Sequence, residues 1–524
     1  MHRITPFALL ILLLASCAGD NAADSRHVDE IRAEVEQLVQ EQARMGYATW
    51  VFGTPSNQDS LYRLHASLFT RENLDLIRRV EGAEPDAVQK RRLRWLLRYL
   101  TLEFAAREAA PLADSLATAE AQAEVTFDGR RIPYFAVSGL LANEPRPARR
   151  AALSAAADPV LDSLNRLRRE IWASHHRLAR DLGYPSYSGM IEELRGLPLA
   201  SMQTMAADVL TATDSLYRAL LSDVLRSSLG VDTSSFYRYD TPRLFRADRF
   251  DRFFPKSRLI ESAESLYAAM GIRMGAQTNL AIDTVDRPGK NPRAVCFVIR
   301  VPDDIRLSVK PMGGPDDFAA LLHELGHGQH YAHTTEHALE FKVLGEPTVT
   351  ETYAFLSEYL LLNPAWLRQH SGMPVATLKD FVRLNAFSRL FYVRRYCAKF
   401  LYESAFHAGA SRPDTLYSSM LARALGYRRI ASDDRRHLAD MDEHYYAAAY
   451  LRAWFLESQL NAHLSRTYGV NWFEDPAAGA FLRSLWARGD RLTGEDLAAL
   501  IGHPAITPEA WIAELRDMIR LSSR

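Results

Sequence analysis

The chain has 524 residues, 63 Lys plus Arg against 64 Asp plus Glu, and a formal charge of −1. So small a charge over this length leaves no basic footprint and excludes nucleic acid as an expected partner. An apolar fraction of 48% supports a large core, and three cysteines exclude a disulfide scaffold.

The N-terminus reads Met1-His2-Arg3, then an apolar run from Phe7 to Ala15, then Ser16-Cys17. A basic start, a short apolar stretch and small residues are the parts of a secretory signal. The run is far shorter than the roughly 20 residues needed to span a bilayer. Leu14-Ala15-Ser16-Cys17 resembles a bacterial lipobox. That resemblance implies cleavage of a signal over 1–17 and lipidation at Cys17; a polar tether over 18–27 and a single helical domain over 28–524, in one or two lobes, are then expected. The expected location is the cell envelope, as an exported bacterial lipoprotein held at the periplasm-facing membrane surface through Cys17. Cys296 sits in a strand-like stretch and Cys397 in a helix-like one; a disulfide and two buried thiols are both compatible with that.

From residue 27 onward helical periodicity dominates. Leu93, Leu96, Leu97, Leu100 and Phe104 recur on one helical face, and similar stripes cover about 146–183, 198–229, 376–409 and 442–465. Residues 293–300 (RAVCFVIR) are instead rich in β-branched and aromatic residues. A turn follows at Val301-Pro302-Asp303-Asp304, then Ile305, Leu307 and Val309 alternate with polar residues, which predicts a hairpin over 293–310. Gly313-Gly314-Pro315-Asp316-Asp317 then has the chemistry of a helix start.

That helix carries His323-Glu324-Leu325-Gly326-His327. Histidines four apart project from one helix face and can share a metal, and Glu324, about 100° round, reaches a water there. The pattern arises by chance in roughly 3% of chains of this composition. A catalytic zinc site needs a third protein ligand. His333 has metzincin spacing, but continued helix through His330 would turn it away. Glu351, at the start of a new helix after Gly345-Glu346-Pro347, is the other candidate, with Glu346 and Glu358 as alternatives.

His323-Glu324-x-x-His327 with Glu351 24 residues beyond His327 resembles the gluzincin peptidases, among them angiotensin-converting enzyme and thimet oligopeptidase. The hairpin before the helix and the tyrosine-rich stretch Asp440–Trp454 fit the same resemblance, which covers residues 290–460 best. Asn143-Glu144-Pro145 and the long helix after it are a weaker echo. The resemblance implies a mostly α fold: a large two-lobed helical body with a deep channel and a small β-hairpin or sheet beside the HExxH helix. It implies one zinc ion on His323, His327 and Glu351, with Glu324 as general base. Downstream, Tyr450 falls on the first of the family's two tyrosines and Ala453 on the second. Tyr446, one turn before Tyr450, offers a replacement phenol, and His444 lies one residue from the family histidine. A phenol or imidazolium from Tyr450, Tyr446 or His444 is expected to hold the oxyanion. The family's carboxylate behind a zinc histidine falls on Phe355, so that support has to come from elsewhere. Arg435, Arg436 and Arg452 are candidate receivers of a peptide C-terminus.

The expected function is zinc-dependent hydrolysis of short peptides outside the cytoplasm, as an oligopeptidase or a carboxydipeptidase. The alternative from another class is a non-catalytic peptide- or metal-binding lipoprotein, for which Glu324 would have no use.

Overall fold

The computed structural model describes the backbone of residues 6–523 and the side chains of residues 23–522. Cys17 and the apolar run before it therefore lie outside the described side chains. The first helix, α1 (Pro6–Phe52), continues through 18–27, where a tether was expected. Its second half explains its docking: Val28, Ile31, Val35 and Leu38 form one apolar stripe and are all buried. Among the described residues, no helix is long and apolar enough to cross a membrane.

The fold is mostly α and two-lobed, as expected. Helix α2 (Ala87–Gln122) is capped by the Asp86 carboxylate, which accepts from the Val88 and Gln89 N–H groups. Its Leu93, Leu96, Leu97 and Leu100 are buried, as their spacing predicts, in one cluster with the α1 stripe. The periodic stretch 146–183 divides into Pro147–Ala156 and α3 (Asp158–Asp181), and 198–229 into Leu199–Ala212 and Asp214–Leu229. A two-stranded hairpin, β1 (Glu124–Phe127) and β2 (Arg130–Pro133), lies between α2 and the first of these.

The expected hairpin is present as β4 (Val295–Arg300) and β5 (Asp304–Ser308), antiparallel with Cys296 opposite Leu307. It belongs to a three-stranded sheet of order β3-β5-β4, in which β3 (Leu280–Asp283) runs parallel to β5. Four residues of β3 carry too little alternation to be seen in sequence.

Helix α4 (Pro315–Ala332) starts with Pro315 at its first position, and the Asp317 carboxylate accepts the Met312 and Gly313 N–H groups. Two glycines in and beside the HExxH stretch let its neighbours approach. A Cβ on Gly326 would lie 2.4 Å from the Ala354 Cα and 2.5 Å from the Tyr353 carbonyl oxygen, so helix α5 (Pro347–Glu358) crosses here at backbone contact. A Cβ on Gly328 would meet Leu307 at 3.0 Å and Leu280 at 3.1 Å, so the sheet packs on the same turn from another side. Helices α6 (Val375–His407) and α7 (Tyr446–Tyr468) complete the surroundings, within one core that includes Leu325, Val349, Phe391 and Phe455. The two remaining cysteines are free, Cys397 buried and Cys296 half-buried.

Candidate metal centre

Helix α4 places His323 and His327 one turn apart, and the crossing at Gly326 brings Glu351 of α5 between them. His323 Nε2 lies 3.4 Å and His327 Nε2 3.7 Å from Glu351 Oε2. Among the described residues these three are the group that could hold a metal ion, with one ligand atom from each within 4.8 Å of the others. Two imidazole nitrogens and one carboxylate oxygen are the donor set of a catalytic zinc site with an open fourth position. Glu351 Oε2 is buried and makes no hydrogen bond, so it has a lone pair to give a cation.

The outer nitrogens of both histidines are held. His323 Nδ1 lies 2.9 Å from Glu358 Oε2 and His327 Nδ1 2.7 Å from Thr350 Oγ1. An N–H donated from Nδ1 leaves the Nε2 lone pair facing the Glu351 oxygen, the tautomer a metal needs. The carboxylate missing at Phe355 is thus supplied by Glu358. It lies seven residues beyond Glu351, two helical turns on and on the same face, a spacing that was visible in the sequence. The other carboxylate oxygen of Glu351, Oε1, accepts the Tyr446 hydroxyl at 2.6 Å.

The charges follow from these contacts. Burial favours a neutral Glu351, but His327, His323 and the Tyr446 hydroxyl outweigh it and hold its pKa at about 2. Burial also works against a charged His323, and Glu351 and Glu358 overcome it, raising its pKa well above the usual value. His327 is pushed down by burial to about 4. Glu324 is raised by burial to about 7, with the Glu351 charge adding and His323 and the Cys296 backbone opposing. A carboxylate that takes up and releases a proton near neutrality is what a general base requires.

His333 is not part of this group. Helix α4 runs to Ala332, and the His333 ring turns back to the Gln329 carbonyl at 2.9 Å and onto Trp486. Glu346 caps α5 and accepts the Gly494 N–H. Because α5 begins at Pro347, Glu351 lies past its first turn rather than in it.

Tyr450 faces Phe355 with ring centroids 5.4 Å apart and touches Tyr446 at 5.0 Å. Burial and the charges of Glu351 and Glu324 raise its phenol well above the ordinary range, which keeps its proton available for donation. His444 and Tyr445 both have left-handed backbones, φ 57° and 55°, at a cost of roughly 1–2 kcal/mol each. The His444 N–H donates to the Tyr187 hydroxyl at 2.8 Å and the Tyr445 hydroxyl pairs with Ser188 at 2.7 Å, which fixes the turn. Burial and the nearby Arg195 charge lower the His444 pKa, which favours the neutral imidazole there. Of the three candidate arginines, Arg452 is buried in an ion pair with Glu495 and Arg435 pairs with Asp162. Arg436 lines a cavity of about 1030 Å³ that runs past Phe355, Glu358, Tyr396 and Trp454, beside the metal group.

No protein-family model and no curated protein sequence matches this chain. Solved structures do. A 3.1 Å X-ray structure assigned as oligoendopeptidase F superposes with a TM-score of 0.67 at 15% identity, over 94% of this chain and 92% of that one. PZ peptidase A, bound to an inhibitor, superposes with a TM-score of 0.70 at 13% identity, over 95% of this chain and 93% of that one. Likeness at this identity establishes the fold: the whole described body of this chain shares the architecture of these two peptidases.

Proposed function

We propose that the protein is a zinc metallopeptidase that hydrolyses short peptides. The observation that carries this reading is the convergence of His323 Nε2 and His327 Nε2 on Glu351 Oε2, with a perturbed Glu324 on the same helix. The shared fold with an oligoendopeptidase and PZ peptidase A supports it.

His323, His327 and Glu351 would hold the zinc ion, which supplies Lewis acidity and brings the pKa of a water toward about 7. Glu324 accepts the proton of that water and delivers it to the leaving amine nitrogen as the C–N bond breaks. Tyr450 donates its O–H to the developing oxyanion, a contact worth about 3–4 kcal/mol in other hydrolases, with the His444 imidazole as the second candidate. Tyr446 keeps the ligand carboxylate in place through Oε1. β4 is an edge strand packed beside α4, so an extended peptide can add to it by backbone hydrogen bonds, without sequence preference. Enclosure of the site in the helical body favours extended peptides over folded proteins.

The lipobox-like segment supports a location on a membrane surface outside the cytoplasm, with Cys17 as the lipidated residue. Detergent partitioning of a Cys17→Ser protein tests that part alone, since loss of the anchor should release the chain from membranes.

The test of the activity is zinc stoichiometry together with cleavage of a quenched peptide library read by mass spectrometry. One zinc per chain and cleavage that disappears in Glu324→Gln with zinc retained are expected. Zinc bound by a wild-type protein that cuts no peptide would leave the binding-protein reading in its place.

A further inference from the structure

A second cavity lies at the N-terminal end of helix α5, the helix that carries the metal ligand Glu351. Helix α5 runs between the two: Glu358 near its C-terminal end lines the large cavity, and Glu346 at its N-cap lines a separate one of about 560 Å³. The second cavity is walled by Arg98 of α2, Arg195, Glu346, Glu193 and Trp95. Arg195 ends the helix Tyr187–Arg195, the same helix whose Tyr187 and Ser188 anchor the His444–Tyr445 turn. The cavity therefore adjoins the tyrosine side of the metal group.

Neither of its two arginines has a direct ion pair among the described residues. Arg98 is only 7% exposed and has no ion pair, its guanidinium lying 5.5 Å from the Trp95 ring. Arg195 has no ion pair, and its Nη1 is buried without a hydrogen bond. Almost every other buried cation of the chain is paired, as Arg150 is with Asp240, Arg389 with Glu457 and Arg394 with Asp214. No carboxylate pairs with either directly: Glu346, whose side chain accepts the Gly494 N–H, and Asp490, which accepts the Gly345 N–H, act on Arg98 only from a distance, Glu81 is paired with Arg94, and Glu193 is exposed. Arg195 lies close enough to lower the pKa of the buried Arg98, and a buried guanidinium without a direct ion pair is costly unless an anion joins it. Burial is the main cause of the depression at both.

We propose that Arg98 and Arg195 receive the C-terminal carboxylate of the peptide substrate, so that cleavage falls two or three residues from a free C-terminus. The inference rests on the peptidase reading and names its substrate class. Its reach comes from helix geometry. Glu346 precedes Glu351 by five residues, about 7.5 Å along the helix axis. An extended peptide covers about 3.3–3.6 Å per residue, so a carboxylate held in this cavity ends a fragment of about two residues beyond the bond at the metal group. Guanidinium groups offer paired N–H donors in the geometry a carboxylate accepts.

The test compares one quenched peptide with a free C-terminal carboxylate and the same peptide amidated, on the zinc-loaded full chain. The wild-type protein should cut the free acid with kcat/KM at least about tenfold higher, and release fragments of two or three residues. Arg98→Met and Arg195→Met should each reduce that preference, and the double variant should abolish it by lowering kcat/KM on the free acid toward the wild-type value on the amide. The thermal midpoint of the double variant should be unchanged or higher, because it loses two unpaired buried charges. A second readout needs no turnover: the zinc-loaded Glu324→Gln protein should bind the free acid more tightly than the amide, and adding the two Met changes should erase the difference. Equal handling of acid and amide by the wild-type protein, or a preference that survives in the double variant, overturns the proposal. Inorganic phosphate that stabilises the wild type but not the double variant, without any acid preference, would assign the pair to a free anion and overturn it too. Cleavage without acid preference defeats this inference alone, whereas zinc binding with no cleavage of either peptide defeats the peptidase reading and leaves the binding comparison to decide here.

Discussion

Glu358 Oε2 lies 2.9 Å from Nδ1 of His323, two helical turns beyond Glu351 on the same face of α5. One short helix therefore supplies a metal ligand and the support for another ligand, and its Thr350 supports the third residue, His327. Any tilt of α5 against α4 would disturb all three contacts together.

Glu358→Ala should weaken zinc binding by about 10- to 100-fold, the usual cost of removing a group that orients a ligand histidine. Chelator competition measures this directly. Glu358→Gln should lose less, since its amide oxygen can still accept the Nδ1–H. Equal affinities for Ala, Gln and wild type would show that His323 is oriented by its packing on Phe355 instead.

Gly326→Ala tests the helix crossing. Its new methyl would sit 2.4 Å from the Ala354 Cα, and backbone cannot retreat as a flexible side chain can. We expect a loss of about 1–3 kcal/mol or more in unfolding free energy, with weaker zinc binding as Glu351 moves. Calorimetry and metal analysis of the same sample read both. A variant with wild-type stability and zinc content would show that the crossing does not set the site.

The two tyrosines should separate by readout. Tyr450→Phe should lower kcat by about 10²- to 10³-fold with zinc affinity unchanged, as expected for loss of an oxyanion donor. Tyr446→Phe should instead lower zinc affinity, because it frees Glu351 Oε1. If Tyr446→Phe keeps its zinc and loses only kcat, the roles of the two phenols are exchanged.

Asp490 gives a pH test away from the metal. It is 3% exposed, accepts the Gly345 N–H at 2.9 Å, and burial pushes its pKa up to about 7. Between the ordinary value of 3.8 and about 7 the folded chain holds a proton that the unfolded chain has released. Its stabilisation is therefore full below the unfolded pKa and declines as pH rises through about 7. Asp490→Asn keeps the acceptor for Gly345 and does not titrate. Its stability relative to wild type should therefore climb between about pH 4 and pH 8, by a few kcal/mol at most. Denaturant melts across that range check it, and a difference independent of pH would refute the buried-acid assignment.

The sequence by itself determined what short-range geometry determines. The stripes at Leu93–Leu100 and in 376–409 fix helices because a 3.6-residue period leaves one apolar face. The β4–β5 hairpin follows from β-branched alternation around a turn, and His323 and His327 share a face because they are one turn apart on one helix. Even the choice of Glu351 over His333 had a local reason, since continued helix past His330 turns His333 away. The tertiary structure alone decided the contacts between segments far apart in the chain. Glu358 shares a face with Glu351 by spacing alone, but its pairing with His323 Nδ1 was set only by the placement of α5 across Gly326, and Tyr446 was committed to Glu351 only by the packing of α7 on α5. Arg98 and Arg195, nearly a hundred residues apart on separate helices, carry no shared motif. They meet in one cavity because burial and the missing counter-charge are properties of the folded body, which a pattern along the chain does not encode.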